Sequence, residues 1–367
     1  MGATEIKSLT GIRGLAAVYV IIFHWYGVLF HKKPLPVNEY LAVFIGHGHL
    51  SVDLFFVLSG FLLSLTSAGR FSNQLFFNDY RSFMYKRFSR IFPLYIVATL
   101  LYYFLFNQGE YRSLLVNLTL LQGVFSFENN SMIPPGWSLT NEWVIYFFFP
   151  AAFYLLWKIR NKAWVLVLVT IVIFIPICIF RNNFLNWGNS YSLRKIHGFY
   201  PVILFTRGPA GFLRTIAAYL LGIFAYLNFQ KIKERAVFLK YIAICAFALL
   251  FFKQTDILII LCMPFVMVYI TAGNWLNRFL SGKVVYFLGL ISYSLYVNHF
   301  LFIDTFDKIS KKWGLNPHNY LVVSFCYVAI GTLAFSTITY YTIEKPALKY
   351  LKKFGERFKA VDAGQTQ

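Results

Sequence analysis

Two side chains in the first apolar segment of the chain could support acid–base chemistry. Arg13 and His24 are eleven residues apart, close to three turns of an α-helix, so they share one face about 16 Å apart along the axis. An unperturbed histidine titrates near neutrality, which makes His24 a natural general base. A lone histidine on an apolar face is more often a packing residue, but the arginine on the same face favours a functional role.

The second apolar segment opens with three more ionisable groups, His47, His49 and Asp53. A His-x-His pattern can bind metal, but the spacing shows no third ligand, and we predict no metal site. Asp53 falls inside the apolar run and needs a partner, such as a histidine or an arginine on a neighbouring helix. The alternative to a functional role is a single buried ion pair that fixes helix register.

Arg87 and Arg90 are three residues apart and therefore lie on one helical face. Paired guanidinium groups suit phosphate, because each fork can bind two oxygens. Anchoring of the helix at the cytoplasmic surface explains the same pattern equally well.

Glu142 follows a turn rich in proline and glycine. Thr140 or Asn141 could cap the next helix, with Glu142 in its first turn, and this capping interpretation is sufficient. A catalytic role requires Glu142 to face a cavity. Farther along, Ser292, Tyr296 and His299 recur at helical spacing, and a polar stripe in an apolar helix should face the bundle interior.

The composition indicates the elements that must hold these groups. Hydrophobic residues make up 58% of the 367 residues and charged residues only 13%, against about 25% charged residues in soluble domains. The formal net charge is nevertheless +20. Apolar runs with cations between them are typical of a polytopic membrane protein and argue against nucleic-acid binding as the explanation of the charge.

The apolar runs predict an all-α bundle of about ten transmembrane helices with both termini in the cytoplasm. With that orientation, 22 of the 34 Lys and Arg residues face the cytoplasm. The run 113–127 is too short for a confident span and is expected to be re-entrant or interfacial. The outer stretch 181–210 is basic and aromatic, suited either to an anionic or sugar ligand or to the headgroup region. The predicted spans are 11–30, 44–66, 91–107, 141–157, 163–180, 211–228, 237–252, 257–272, 284–303 and 319–343.

Six motifs, in order from residue 10 to residue 346, resemble the acyltransferase 3 family of integral membrane acyltransferases. Each motif alone is weak, and the six in order are specific and cover nearly the whole chain. They are Thr10-Gly-Ile-Arg-Gly-Leu-Ala-Ala17 with His24, Ser51-Val-Asp-Leu-Phe-Phe-Val-Leu-Ser-Gly-Phe61, Arg87-x-x-Arg90-Ile-x-Pro93-x-Tyr95, Pro135-Gly-Trp-Ser-Leu-x-x-Glu142, Ser292-Tyr-Ser-Leu-Tyr-x-x-His299 and Ile343-Glu-Lys-Pro346.

The resemblance implies a membrane enzyme that moves an acyl group, commonly acetyl, from cytoplasmic acyl-CoA to a hydroxyl on the outer side. The implied acceptor is a glycan or a related molecule, and the implied location is the bacterial inner membrane. Carried over by motif, Arg13 and His24 would be essential, and Arg87 and Arg90 would bind coenzyme phosphates together with Arg13. Glu142 and His299 would be active-site residues. The expected substrate-binding residues are Trp137, Ser138, Tyr296 and His299.

A transfer mechanism needs a base, a site that stabilises the developing oxyanion and groups that bind the donor. His24 would be the base, with Asp53 or Glu142 orienting its ring and Arg13 or a backbone amide stabilising the oxyanion. A covalent intermediate on histidine, Ser138 or Ser294 is less favoured than direct transfer. The alternative function is a transporter or channel, but transporters tend to show inverted repeats, and the chain shows no internal symmetry.

The domain prediction is a transmembrane acyltransferase domain over 1–350 and a short basic cytoplasmic tail over 351–367. Many polysaccharide-modifying members of the family carry an outer hydrolase-like domain after the last helix, and this sequence has none. We therefore expect either direct transfer to the acceptor or transfer to a separate acyl-accepting partner enzyme.

Overall fold

The computed structural model describes residues 5–30, 35–106, 111–125, 131–179, 202–203 and 208–351. These residues form α-helices joined by turns and contain no strand, which confirms the all-α prediction. The predicted outer loop at 181–210 and the tail at 351–367 lie almost entirely outside the described residues. The helices are α1 (Lys7–Leu29), α2 (Glu39–Gly46), α3 (Ser51–Phe71), α4 (Phe77–Phe106), α5 (Tyr111–Leu118), α6 (Gln122–Phe125), α7 (Gly136–Lys158), α8 (Trp164–Ile179), α9 (Gly208–Leu227), α10 (Phe229–Lys233), α11 (Ala236–Leu249), α12 (Asp256–Tyr269), α13 (Trp275–Leu280), α14 (Lys283–Leu290), α15 (Ser292–Lys312) and α16 (Leu321–Thr339).

Six helical segments of the described chain are long and apolar enough to cross a bilayer. They include α1, α4, α7 and α9, the continuous pair of α2 and α3, and the segment around α16. The pair of α14 and α15 would make a seventh span, and α8, α11 and α12 are shorter apolar helices. The chain is therefore a helical membrane protein. The count of ten spans and the cytoplasmic termini stay predictions.

The ambiguous run 113–127 falls on two short helices, α5 and α6, rather than on one long helix. Leu120, between them, has a φ of +58°, a conformation that interrupts a right-handed helix. Gln122 is buried beyond this break and donates a hydrogen bond to the hydroxyl of Tyr95 at 3.0 Å. The segment thus packs against α4 without continuing as a single helix.

Helix α3 packs against both α1 and α9, and the contact between α3 and α9 depends on two glycines. A Cβ atom on Gly222 would lie 2.1 Å from the carbonyl oxygen of Val57, and one on Gly60 would lie 2.4 Å from that of Tyr219. The small residues allow the two backbones to approach closely, as at other interfaces between membrane helices. This approach positions the polar side chains that α3 and α9 carry into the bundle.

Replacing Gly222 with alanine is expected to destabilise the protein by about 1–3 kcal/mol, because the new methyl group overpacks the contact between α3 and α9. Thermal unfolding of the purified protein in detergent measures the change. Gly69→Ala is the matched control, since a Cβ there meets no atom within 4 Å and alanine favours a helix by about 0.5–1 kcal/mol. Equal stability of the two variants would contradict the packing argument.

Two irregular points interrupt the last helices. α14 and α15 meet at Ile291 with a bend of 72°, so α15 begins within the bundle rather than at its end. After α16, Tyr340–Glu344 forms a π-helical turn. Insertions of this kind often occur at functional sites, and this one carries Glu344 to a position where only 2% of the residue is exposed.

Candidate active site

Two histidines from distant parts of the sequence meet inside the bundle. Nε2 of His299, on α15, lies 3.0 Å from Nδ1 of His24, on α1, and the rings stack with centroids 5.0 Å apart. On its other side, Nδ1 of His299 lies 2.8 Å from the backbone carbonyl oxygen of Tyr296. His299 is fully buried, whereas His24 is partly exposed.

These contacts determine which ring nitrogens carry hydrogen when both rings are neutral. A carbonyl oxygen only accepts, so Nδ1 of His299 donates to Tyr296 and its Nε2 is left as an acceptor. Nδ1 of His24 must then donate to that Nε2. The lone pair of His24 is therefore on Nε2, the arrangement that a general base requires, and His299 holds the ring in this tautomer.

Glu142 lies in the second turn of α7, because the helix begins at Gly136, six residues earlier in the chain. The capping interpretation of Glu142 is therefore wrong; Pro135 occupies the N-cap position instead. Its fixed φ suits a helix start. Oε1 of Glu142 accepts hydrogen bonds from Ser59 at 3.0 Å, from Tyr219 at 3.4 Å and from Tyr146. The structure places Glu142 against these three hydroxyls rather than against His24.

A cavity with both apolar and polar walls lies between α1, α3, α7 and the start of α15. The requirement that Glu142 face a cavity is met, since it lines this one together with Arg13. The side chains on the wall that carry polar groups are Arg13, Ser59, Ser138, Glu142, Ser292, Tyr293 and Tyr296.

A charge cluster lies at this cavity and beside it. It consists of three arginines, Arg13, Arg87 and Arg90, and two carboxylates, Glu142 and Glu344. Arg90 and Glu142 lie within electrostatic range of Arg13, and Glu344 lies within range of both arginines. Glu344 also accepts a hydrogen bond from the hydroxyl of Ser294 at 2.8 Å. Glu344 was part of a sequence motif but was not predicted as a site residue. A charged residue at the end of an apolar run was the signal that could have indicated its role.

Arg87, the third arginine of this cluster, packs against aromatic rings. Its guanidinium carbon lies 5.5 Å from the ring centroid of Phe83 and 5.7 Å from that of Tyr146, distances typical of cation–π contacts. Tyr146 is also bonded to Glu142, so the arginine face of α4 is joined to the cavity wall.

The expected substrate-binding residues occupy three places. The hydroxyls of Ser138 and Tyr296 lie 2.8 Å apart on the cavity wall, and Ser138 also donates to the carbonyl of Pro135 at 3.0 Å. Trp137 instead faces Arg214, whose guanidinium carbon is 5.7 Å from its ring centroid. His299 belongs to the histidine pair.

Asp53 makes a buried ion pair with Arg214, on α9. Nε of Arg214 donates to Oδ1 of Asp53 at 2.8 Å, and the second guanidinium contact is to Oδ2 at 2.5 Å. Asp53 is 0% exposed and Arg214 is 1% exposed. The structure therefore places Asp53 in the ion pair expected as its structural alternative. Arg214 was not among the residues predicted from the sequence. A cation inside the predicted span 211–228 was a signal that it pairs with a buried carboxylate.

The His-x-His segment belongs to a second buried network. Nε2 of His49 lies 3.0 Å from Oδ1 of Asp256, and Oδ2 of Asp256 accepts the backbone N–H of Val202 at 2.9 Å. Nδ1 of His47 lies 2.8 Å from the carbonyl of Leu250. Across the described ranges, no group of three or more His, Cys, Asp and Glu side chains is arranged to hold a metal ion.

A family model described as an acyltransferase domain, of the acyltransferase 3 family, matches residues 6–341. A Staphylococcus aureus (strain COL) protein, named as a candidate O-acetyltransferase, is 24% identical over 94% of this chain. The chain spans 57% of that relative's length. "Acyltransferase MdmB" of Streptomyces mycarofaciens is 28% identical, over 42% of this chain and 41% of its own.

"Protein 2 in picA locus" of Rhizobium radiobacter is 32% identical over 37% of this chain and 76% of its own. No solved structure shows a significant match. The family match covers far more than half of the chain and includes both histidines of the buried pair. The chain belongs to the acyltransferase 3 family and carries its acyltransferase domain.

Proposed function

We propose that this protein transfers an acyl group, most simply acetyl, from cytoplasmic acyl-CoA to a hydroxyl of a glycan or related acceptor on the outer side of a bacterial inner membrane. The observation that carries the proposal is the pair of His24 and His299, which leaves a basic nitrogen inside a membrane bundle. The name of the staphylococcal relative supports an acetyl group on oxygen.

In the proposed reaction, Nε2 of His24 takes the proton of the acceptor hydroxyl while the hydroxyl oxygen attacks the thioester carbonyl. The carbon–sulfur bond then breaks, and the leaving thiolate takes the proton back from Nε2 of His24. His299 accepts a hydrogen bond from Nδ1 of His24 throughout and stabilises the ring when it is charged. No proton is gained or lost overall.

Direct transfer is favoured over a covalent acyl-serine by the partners of the two candidate nucleophiles. Ser138 bonds to Tyr296 and Pro135, and Ser294 donates to Glu344. A serine nucleophile is activated by a base within hydrogen-bond reach, and these contacts direct both hydroxyls elsewhere than to His24. We assign Asp53 a structural role in the ion pair with Arg214. Glu142 lines the cavity together with Arg13, so we assign it to the part of the cavity that binds the acyl donor.

The donor is held by the arginines of the charge cluster. Arg13, Arg87 and Arg90 outnumber Glu142 and Glu344, so the cluster keeps a net positive charge that suits a polyanionic nucleotide thioester. The cytoplasmic position of Arg87 and Arg90 follows from the predicted orientation of α4.

Membranes that contain the protein, incubated with acetyl-CoA labelled on the acetyl group, test the proposal directly. The expected result is label on an extractable glycan or lipid-linked acceptor, absent from membranes without the protein. Label that crosses sealed vesicles unattached to any acceptor would instead support the transporter alternative. Mass spectrometry of the glycans of a deletion strain then identifies the acceptor.

Replacing Arg90 with glutamine is expected to raise the KM for acetyl-CoA by about 10- to 100-fold with a smaller change in kcat. Loss of one charge-assisted hydrogen bond is worth about 1.5–3 kcal/mol. Arg81→Gln, an exposed position on the same helix, is the control and should leave the KM unchanged. Equal KM values for both variants would assign Arg90 to membrane anchoring.

A further inference from the structure

The bend at Ile291 creates a helix N-terminus inside the protein. α15 is 21 residues long, and no side chain caps its first turn. The first amide groups of an α-helix have no partner within the helix, and together with the helix dipole they favour an anion. Ser292 and Tyr293, the first residues of α15, line the cavity between α1, α3 and α7, so this helix end opens onto it.

The side chain of Ser292 gives a second, independent indication of a ligand. The residue is 2% exposed, and its hydroxyl makes no hydrogen bond within the part of the chain that the structure describes. A buried hydroxyl without a hydrogen-bond partner is unfavourable, because burial removes it from water. Arg13 lines the same cavity, so the helix end and a guanidinium group converge on one small space.

Two carboxylates lie close to this space, but hydroxyl groups engage them. Glu142 accepts from Ser59 and two tyrosines, and Glu344 accepts from Ser294. The hydrogen bonds stabilise both carboxylates, and the one from Ser294 holds Glu344 beside the first turn of α15, where its charge opposes the binding of an anion. Arg13 and Arg90 bring two positive charges to the same region.

The depth of this helix end relative to the histidine pair identifies the anion. Arg13 lies about 16 Å from His24 along the axis of α1, and Ser292 lies about 10 Å from His299 along the axis of α15. A pantetheine arm has thirteen bonds between its sulfur and its phosphorus, which corresponds to roughly 15 Å when extended. A thioester carbonyl beside His24 therefore places the first phosphate of its donor near Arg13 and the start of α15.

We propose that the N-terminus of α15, with the Ser292 hydroxyl and Arg13, is a binding site for the 4′-phosphate end of the pantetheine arm of the donor. The site rests on the proposed function for the identity of the donor. The phosphate nearest the pantetheine would bind at the N-terminus of α15, and Arg87 would contact a part of the donor farther from the thioester. Specificity for phosphorylated pantetheine thioesters over shorter ones would then originate at this helix end.

The test compares the binding of 4′-phosphopantetheine and pantetheine to the purified full-length protein in detergent, by calorimetry. The wild type is expected to bind the phosphorylated compound at least tenfold more tightly. In Ser292→Asp, a negative charge at the helix end should reduce this ratio to near one. Ser292→Thr keeps the hydroxyl, and Ser281→Asp places the same charge on the partly exposed turn before α14; both should keep the wild-type ratio.

A wild-type protein that binds both compounds equally would overturn the inference, as would a Ser292→Asp variant that keeps the wild-type ratio. Equal weakening of both ligands by Ser292→Asp would also overturn it, because it indicates general damage to the cavity. The binding assay is independent of acyl transfer. A protein with the expected ratios that transfers no label from acetyl-CoA would keep the phosphate site and refute the proposed function.

Discussion

Replacement of His24 with alanine is expected to lower the rate of acyl transfer by about 10²- to 10⁴-fold, the usual contribution of a positioned general base. Binding of acetyl-CoA should stay within about twofold of wild type, because Arg13 lies about 16 Å away along α1 and the other donor-binding arginines, Arg87 and Arg90, lie on α4. Transfer of labelled acetyl groups measures the rate, and equilibrium binding of labelled donor measures the affinity.

The matched control is His318→Ala, which makes the same chemical change at a partly exposed position in the turn before α16. It should retain full activity. His299→Gln is expected to reduce kcat by about 10- to 100-fold with little change in KM, since His299 acts through the ring of His24. Retained transfer in His24→Ala would remove His24 as the base.

Removal of either charge of the pair between Asp53 and Arg214 is expected to destabilise the protein by about 3–5 kcal/mol. Both side chains are buried, and the loss of one partner leaves the other as an uncompensated charge in a low-dielectric interior. Asp53→Leu and Arg214→Met are suitable single variants. Thermal unfolding in detergent, together with the amount of protein recovered from membranes, measures the effect.

The double variant Asp53→Leu with Arg214→Met separates a structural from a catalytic role of Asp53. Replacement of a whole buried pair by apolar groups is often close to neutral, so much of the lost stability should return. If Asp53 serves only the ion pair, transfer activity returns with stability. A stable double variant with no activity would show that Asp53 or Arg214 takes part in the reaction itself.

The local pattern of the sequence was sufficient for the class of fold and for the candidate residues. Charges confined to breaks between apolar runs predict a membrane bundle, and helical spacing places Ser292, Tyr296 and His299 on one face. The cost of a charge in an apolar run singled out Arg13 and Asp53 without any knowledge of their neighbours. The ends of the helices were harder to predict from the sequence. Because α7 begins six residues before Glu142, this residue lies in the second turn, and the capping interpretation is wrong.

Only the tertiary structure decided which of these groups meet. His24 and His299 are 275 residues apart, and Asp53 and Arg214 are 161 apart. Periodicity specifies the face of a helix on which a side chain lies, but not the helix that packs against that face. That choice depends on close approaches such as Gly60 with Gly222, and on the bend at Ile291. The sequence by itself therefore determined the chemical groups inside the membrane, and helix packing determined that His299 rather than a carboxylate orients His24.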